Sequence, residues 1–178
     1  MGRKGKVFTV SMVLVLSCFV FLAAGMVIDA PAAAKEPYKV GAIFSVTGRA
    51  SFLGEPEKRT AEMIAEEINA KGGIDGHPLE LIVYDDEGDA TKCNIAMKKL
   101  ISHDNVPVVI GPSTSGTSLA IVKVAERSEI PLISCAASKK IVMPVDERHW
   151  VFKVAGSDIH VSQRIYDHMK SKGITKIG

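Results

Sequence analysis

Along this chain the hydrophobic positions change period again and again. YKVGAIF, Tyr38 to Phe44, is a short β-rich run that predicts a strand, and it opens into a small-residue loop, Ser45 to Gly54. A helical period follows, with Pro56 near its first turn and Ala61, Ile64, Ala65 and Ile68 on one face. NAKGGIDGHP, Asn69 to Pro78, is a glycine-rich stop and turn. Leu79 to Tyr84 predicts a second strand, ending in the acidic loop Asp85 to Asp89, and Thr91 to Ser102 a helix with Cys93, Ala96, Met97, Leu100 and Ile101 apolar. A third strand is expected at Val106 to Ile110, then a helix at Thr117 to Ser128 with Leu119, Val122 and Ala125 inward. Pro131 to Ser134 and Val151 to Val154 predict two more strands, separated by a long loop from Cys135 to Trp150. A helix from Asp158 to Lys172 follows, and Ile174 to Gly178 reads as the start of another strand.

Strands alternating with helices of about three turns imply right-handed βαβ crossovers. The expected fold is therefore α/β: an open, doubly wound parallel sheet with helices on both faces, since the units are too few to close a barrel. In such sheets ligands lie beyond the carboxyl ends of the strands. That rule selects four loops: Ser45 to Gly54, Asp85 to Asp89, Gly111 to Gly116 and Cys135 to Ser138.

Ahead of this alternation the pattern is different. Arg3, Lys4 and Lys6 precede an uncharged apolar stretch, Val7 to Ile28, and the small residues Ala32 to Ala34. This is the pattern of an export signal cleaved after Ala34, giving a division into residues 1–34 and a single domain at 35–178. The stretch is also long enough for an uncleaved anchor, but the alanine cluster favours cleavage. Cys18 lies inside the apolar run and not at its end, which argues against a lipoprotein signal.

Composition narrows the function classes. Of the 178 residues, 47% are apolar and 24% charged, as in globular proteins, and a formal net charge of +2 with scattered cations gives no reason to expect nucleic acid. Cys93 and Cys135 are the only cysteines after Ala34; an oxidising compartment permits a disulfide between them, and two cysteines do not make a scaffold. No Cys or His pair has a ligand spacing, so neither a metal nor a cofactor is expected.

VVIGPSTSGTS, Val108 to Ser118, is the loop with the most chemistry. A phosphate cradle needs a lysine after its second glycine, and Thr117 and Ser118 follow Gly116 instead. A serine nucleophile elbow needs a glycine two residues before Ser115, where Ser113 stands. What remains is an anion cup: Ser113, Thr114 and Ser115 at a strand-to-helix turn, with Gly116 allowing close approach to the free N–H groups. SCAAS, Ser134 to Ser138, repeats the theme at the next strand end, although any one of these hydroxyls has a plain alternative role as a helix cap. The acidic loop lacks the oxygen spacing of a calcium site and suits capping of the second helix.

Taken in order, the charged and apolar leader, YKVGAIFSVTGRASFLG, INAKGGIDGHPLELIVYDDEGD, VVIGPSTSG and IPLISCAAS resemble the periplasmic solute-binding proteins of branched-chain amino-acid ABC transporters. The resemblance runs from Lys35 to Gly178 and implies a type I periplasmic binding protein, two α/β lobes that close on a hinge over an amino acid or related carboxylate. It places the carboxylate-binding serine at Ser115, within Gly111 to Gly116. It assigns Ala136 the carbonyl that meets the ligand ammonium and Ser138 a hydroxyl and N–H, with Ala137 between them, and gives Phe52 or Leu53 the position of an aromatic wall. The disulfide of the best-known members has no counterpart, since Gly88 and Thr114 stand at the matching places. The family pattern continues through a second lobe, so the sequence reads as a first lobe truncated before it. The resemblance implies a binding protein rather than an enzyme, working in the periplasm with a small carboxylate, most naturally an amino acid, and an inner-membrane permease as partners. A membrane sensory receptor built on the same fold is the alternative.

Overall fold

Period-two alternation along the strands decides which side chain goes to which face of the sheet. The computed structural model describes residues 35–176, and in it β1 (Tyr38–Phe44), β2 (Leu79–Asp85), β3 (Val109–Ile110), β4 (Leu132–Ser134) and β5 (Val151–Lys153) form one parallel sheet in the order β2-β1-β3-β4-β5. The register runs from Tyr38 opposite Leu79 to Phe44 opposite Asp85, with Gly41 opposite Val109, Val109 opposite Leu132 and Leu132 opposite Val151. Four helices accompany it: α1 (Ser51–Ala70), α2 (Ala90–Ser102), α3 (Ser115–Ser128) and α4 (Asp158–Ser171). The chain steps from β1 outward to β2, then back across β1 to β3 and on to β4. Right-handed crossovers then put α1 on one face and α2 and α3 on the other.

The core lies on the face of α2 and α3. Ile43, Val109, Leu132 and Val151 point into it from four strands and meet Cys93, Met97, Leu100, Ile121, Val122 and Ala125. The intervening strand residues, Val40, Phe44, Leu81 and Ile110, face α1 instead and line an apolar groove of about 630 Å³ beneath it, with Cys135 at one side and Glu57 on the helix. Phe152 of β5 also alternates to this face and is half exposed. Among the described residues α1 alone covers it. On α4 every side chain except Met169 is exposed; its N-terminus is tied to the sheet by the Asp158 N–H, which donates to the Ala137 carbonyl at 3.1 Å.

Three boundaries differ from expectation by two residues or more, each for a local reason. The expected loop from Ser45 is shorter, because α1 starts at Ser51 after a single 3-10 turn at Gly48–Ala50. Gly54 thereby sits inside the helix and directly on Ser45, whose backbone a Cβ would overlap. Pro56 falls in the helix interior, where the carbonyl of Phe52 loses its usual donor. β3 is only two residues long: Pro107 has no N–H to add to the ladder, and the Val106 N–H instead closes the end of α2 on Leu100 O at 3.1 Å. Finally, α3 starts two residues before Thr117, and its inner face carries Ser118, Ile121, Val122 and Ala125. Leu119, expected inward, is 40% exposed, and Ile121 takes its place at 0%.

The expected export signal over 1–34, with Cys18 and the cleavage point after Ala34, lies outside the described residues, as do Ile177 and Gly178 of the expected last strand. Ile174 to Lys176 leave α4 without joining the sheet.

Candidate functional site

The four loops selected from the sequence do lie together at the carboxyl end of the sheet, and the reversal of strand order falls between β1 and β3. At this switch point neighbouring crossovers leave on opposite faces and open a crevice. Gly111 ends β3 there with φ +93°, and any Cβ would overlap the carbonyl of Ile43, so only glycine lets the loop pass this close to β1.

The expected cup residues divide by what their polar atoms already do. Thr114 is the N-cap of α3: its hydroxyl accepts from the Thr117 N–H at 3.3 Å and lies 2.8 Å from the Thr117 hydroxyl. Ser113 is buried and engaged on both sides, accepting from the Ser45 N–H at 3.0 Å and donating to the Glu57 carboxylate. Ser115, on the first turn of α3, accepts from the Ser138 N–H at 3.2 Å, which leaves its own proton to donate. Gly116 is exposed, and a Cβ built on it meets nothing within 4 Å. The first N–H groups of α3, on Ser115 and Gly116, have no partner among the described residues and carry the positive end of the helix dipole.

The neighbouring loop is tied to this one by a hydrogen bond. Ser138 is tied to Ser115 through its N–H, while its hydroxyl accepts from the Lys140 N–H at 3.3 Å and retains a proton to donate. The Ala137 carbonyl is occupied, accepting from Lys153 Nζ at 3.0 Å and from the Asp158 N–H. Ala136 has its N–H on Ser134 Oγ at 3.1 Å, and its carbonyl has no partner among the described residues. Phe52 and Leu53 stand on the exposed first turn of α1, 74% and 40% accessible, at the same end of the sheet. Adjacent loops therefore carry free donors, on Ser115 and Gly116, and a free carbonyl, on the buried Ala136.

Several polar residues behind the cup had no sequence signal beyond their type. Asp86 is fully buried; its Oδ1 accepts from the Ser45 hydroxyl at 2.6 Å and from the Gly88 N–H at 2.8 Å, and its Oδ2 has no hydrogen-bond partner. Burial pushes the Glu57 carboxyl above its ordinary range; the Ser113 hydroxyl opposes this and the Asp86 charge adds to it. Asp85 goes the other way: burial pushes it up, but the Thr47 hydroxyl and the N–H groups of Glu87, Thr47 and Val46 hold it below the usual value. Asp89 caps α2 by accepting from the Lys92 N–H at 2.8 Å, the role expected of the acidic loop. Among the described residues no group of three His, Cys, Asp or Glu side chains is arranged to hold a metal ion, and no helix is long and apolar enough to cross a membrane.

Known proteins share this fold. The family model described as "Periplasmic binding protein" matches residues 37–178. Among curated relatives, Leu/Ile/Val-binding protein homolog 7 of Brucella abortus (strain 2308) is 35% identical over 109 residues, 60% of this chain and 26% of that protein. An extracellular ligand-binding receptor from Rhodopseudomonas palustris HaA2 superimposes with a TM-score of 0.70 at 31% identity, covering 78% of this chain and 37% of that one. The branched-chain amino acid transporter substrate binding protein LivJ from Streptococcus pneumoniae, solved with isoleucine, gives 0.65 at 29% identity over 69% of this chain and 35% of its own. The chain thus matches between about a quarter and two fifths of the length of these relatives.

Proposed function

Because the chain belongs to the periplasmic binding protein family, we propose that residues 35–178 form one ligand-binding lobe of a solute-binding protein that captures an amino acid or a related small carboxylate for transport. One observation carries this reading. Ser115 and the unpartnered N–H groups opening α3 offer directed donors to a carboxylate, while the free carbonyl of Ala136, on the adjoining loop, offers an acceptor to an α-ammonium group. Neutral donors hold an anion without trapping it, as reversible delivery requires. The Ser138 hydroxyl adds a further donor. Phe52 or Leu53, exposed on α1, forms the wall against the ligand side chain. Thr114 and Ser113 serve the site from behind, one by capping α3 and the other by tying it to Ser45 and Glu57.

The names of the relatives make branched-chain amino acids the first ligands to try. On this reading the protein works in the periplasm, residues 1–34 being an export signal removed after Ala34, so that the exported protein has the mass of a chain starting at Lys35. A second lobe would close on the ligand and a membrane permease would receive it. Closure draws on the ligand's preference for the closed state, so the cup by itself binds weakly.

Calorimetric titration with isoleucine tests the assignment. Ser115→Ala removes one hydrogen bond to a charged group and is expected to weaken binding by about tenfold or more. Unchanged affinity in S115A would place the carboxylate elsewhere.

A further inference from the structure

Beneath the cup, two hydroxyls join its loops. Ser118 on α3 and Ser134 at the end of β4 are both fully buried, with their Oγ atoms 2.7 Å apart. Ser118 donates to the Pro112 carbonyl at 3.4 Å, and Ser134 accepts from the Ala136 N–H at 3.1 Å. A backbone N–H can only donate and a carbonyl can only accept, while each hydroxyl has a single proton. One direction satisfies every member: Ala136 N–H to Ser134, Ser134 O–H to Ser118, Ser118 O–H to Pro112. The relay starts in the loop carrying the ammonium acceptor and ends in the loop carrying the carboxylate donors.

We propose that Ser134 is the positioning residue for the Ala136 carbonyl. This rests on the ligand role proposed above for that carbonyl. Peptide units are rigid planes. The plane before Ala136 is fixed through its N–H by Ser134. The plane after Ala137 is fixed at its carbonyl by the Asp158 N–H and Lys153 and at its N–H by Ser115. The single plane between them carries the Ala136 carbonyl, which accepts no hydrogen bond among the described residues; its direction is inherited from the two neighbours. Removing the Ser134 hydroxyl releases one of them. Removing the Ser118 hydroxyl takes away a buried bond of the same kind and leaves Ala136 attached.

The test compares Ser134→Ala with Ser118→Ala in the full chain by two measurements. Amide hydrogen exchange at Ala136, read by NMR against Leu132 as an internal reference, is expected to accelerate about tenfold in S134A, the equivalent of one lost buried hydrogen bond, and to stay near wild type in S118A. Titration with L-isoleucine and with its 2-oxo analogue, 3-methyl-2-oxopentanoate, is expected to show a severalfold loss of preference for the amino acid in S134A only. Equal effects of both variants, or wild-type exchange and preference in S134A, would overturn the proposal and leave the serines a structural role. If S134A does not fold, Ser134→Cys, which keeps a weak acceptor of similar size, takes its place with a smaller acceleration expected. If the wild-type chain shows no isoleucine binding even at the highest soluble ligand concentration, the ligand reading falls, and the exchange contrast alone then upholds or overturns the positioning role of Ser134.

Discussion

At Gly116 the demands of folding and of binding separate. Its backbone has no positive φ and a Cβ there meets open space, so Gly116→Ala costs no contact and replaces the poorer helix former. The same methyl would occupy the approach to the first N–H groups of α3. G116A is therefore expected to melt at or slightly above the wild-type temperature while binding isoleucine about tenfold or more weakly, and a variant that loses both or neither would dissociate this glycine from the cup. Glu57 makes a different kind of prediction. Its folded pKa is raised, so the folded protein holds the proton more tightly than the unfolded chain does, and stability falls as pH climbs from the ordinary glutamate value of 4.5 through the raised one. Glu57→Gln keeps an acceptor for Ser113 and is expected to flatten that decline and to be the more stable protein above it. Urea midpoints of E57Q and wild type that fall in parallel across the window would show that another group titrates there. The hydroxyl-rich loops at 113–116 and 134–138 were legible as residue types, but the partners that occupy each hydroxyl were not. Ser113 is engaged by residues 68 and 56 positions away, Ser45 and Glu57, and no local pattern encodes that pairing.

For the elements, periodicity located the five strands and four α-helices of the described chain but none of the 3-10 turns, at Gly48–Ala50, Lys139–Val142 and Val145–Glu147, and most errors fell at element ends. The N-terminus of α3 shows why. Thr114, Ser115, Thr117 and Ser118 are all acceptable caps by type, and only the β-region backbone of Thr114, with φ −110° and ψ 153°, marks it as the cap in use. That choice sets the first free N–H groups on Ser115 and Gly116. Thr114→Ala should cost about 1 kcal/mol of stability, read from denaturant unfolding, and Thr114→Ser much less. Equal losses would assign the effect to the methyl group rather than to the cap. The outward turn of Leu119 has the same origin, because an inner face built on spacings of three and four admits Ile121 and excludes a residue one position after Ser118. At the other end of the sheet, Pro107 shortened β3 below what its β-branched run suggested. α1 began early because Gly54 had to meet Ser45, a contact that a reading by local period does not contain.

Across the whole molecule, the sheet divides two environments that alternation had assigned without showing their depth: a filled core against α2 and α3, and an open apolar groove under α1. The two thiols fall on opposite sides of that division. Cys93 lies in the core, its Sγ 3.6 Å from the Thr117 carbonyl, whereas Cys135 lines the groove, and both are free. Burial raises both above the ordinary thiol range, Cys93 strongly, with the Asp86 charge adding to it, and Cys135 to about 11, with Glu57 adding to it. Little of either is thiolate near neutral pH, and the thiolate is the form that attacks a disulfide. The unfolding midpoint should accordingly be the same with and without a reductant, and Cys93→Ser/Cys135→Ser should add no new reductant dependence; a drop in wild-type stability on reduction would reveal a crosslink that the sheet forbids. For residues 35–176 the folded form should therefore be equally reachable in a reducing cytosol or an oxidising envelope, neither Cys93 nor Cys135 calling on the machinery that makes disulfides.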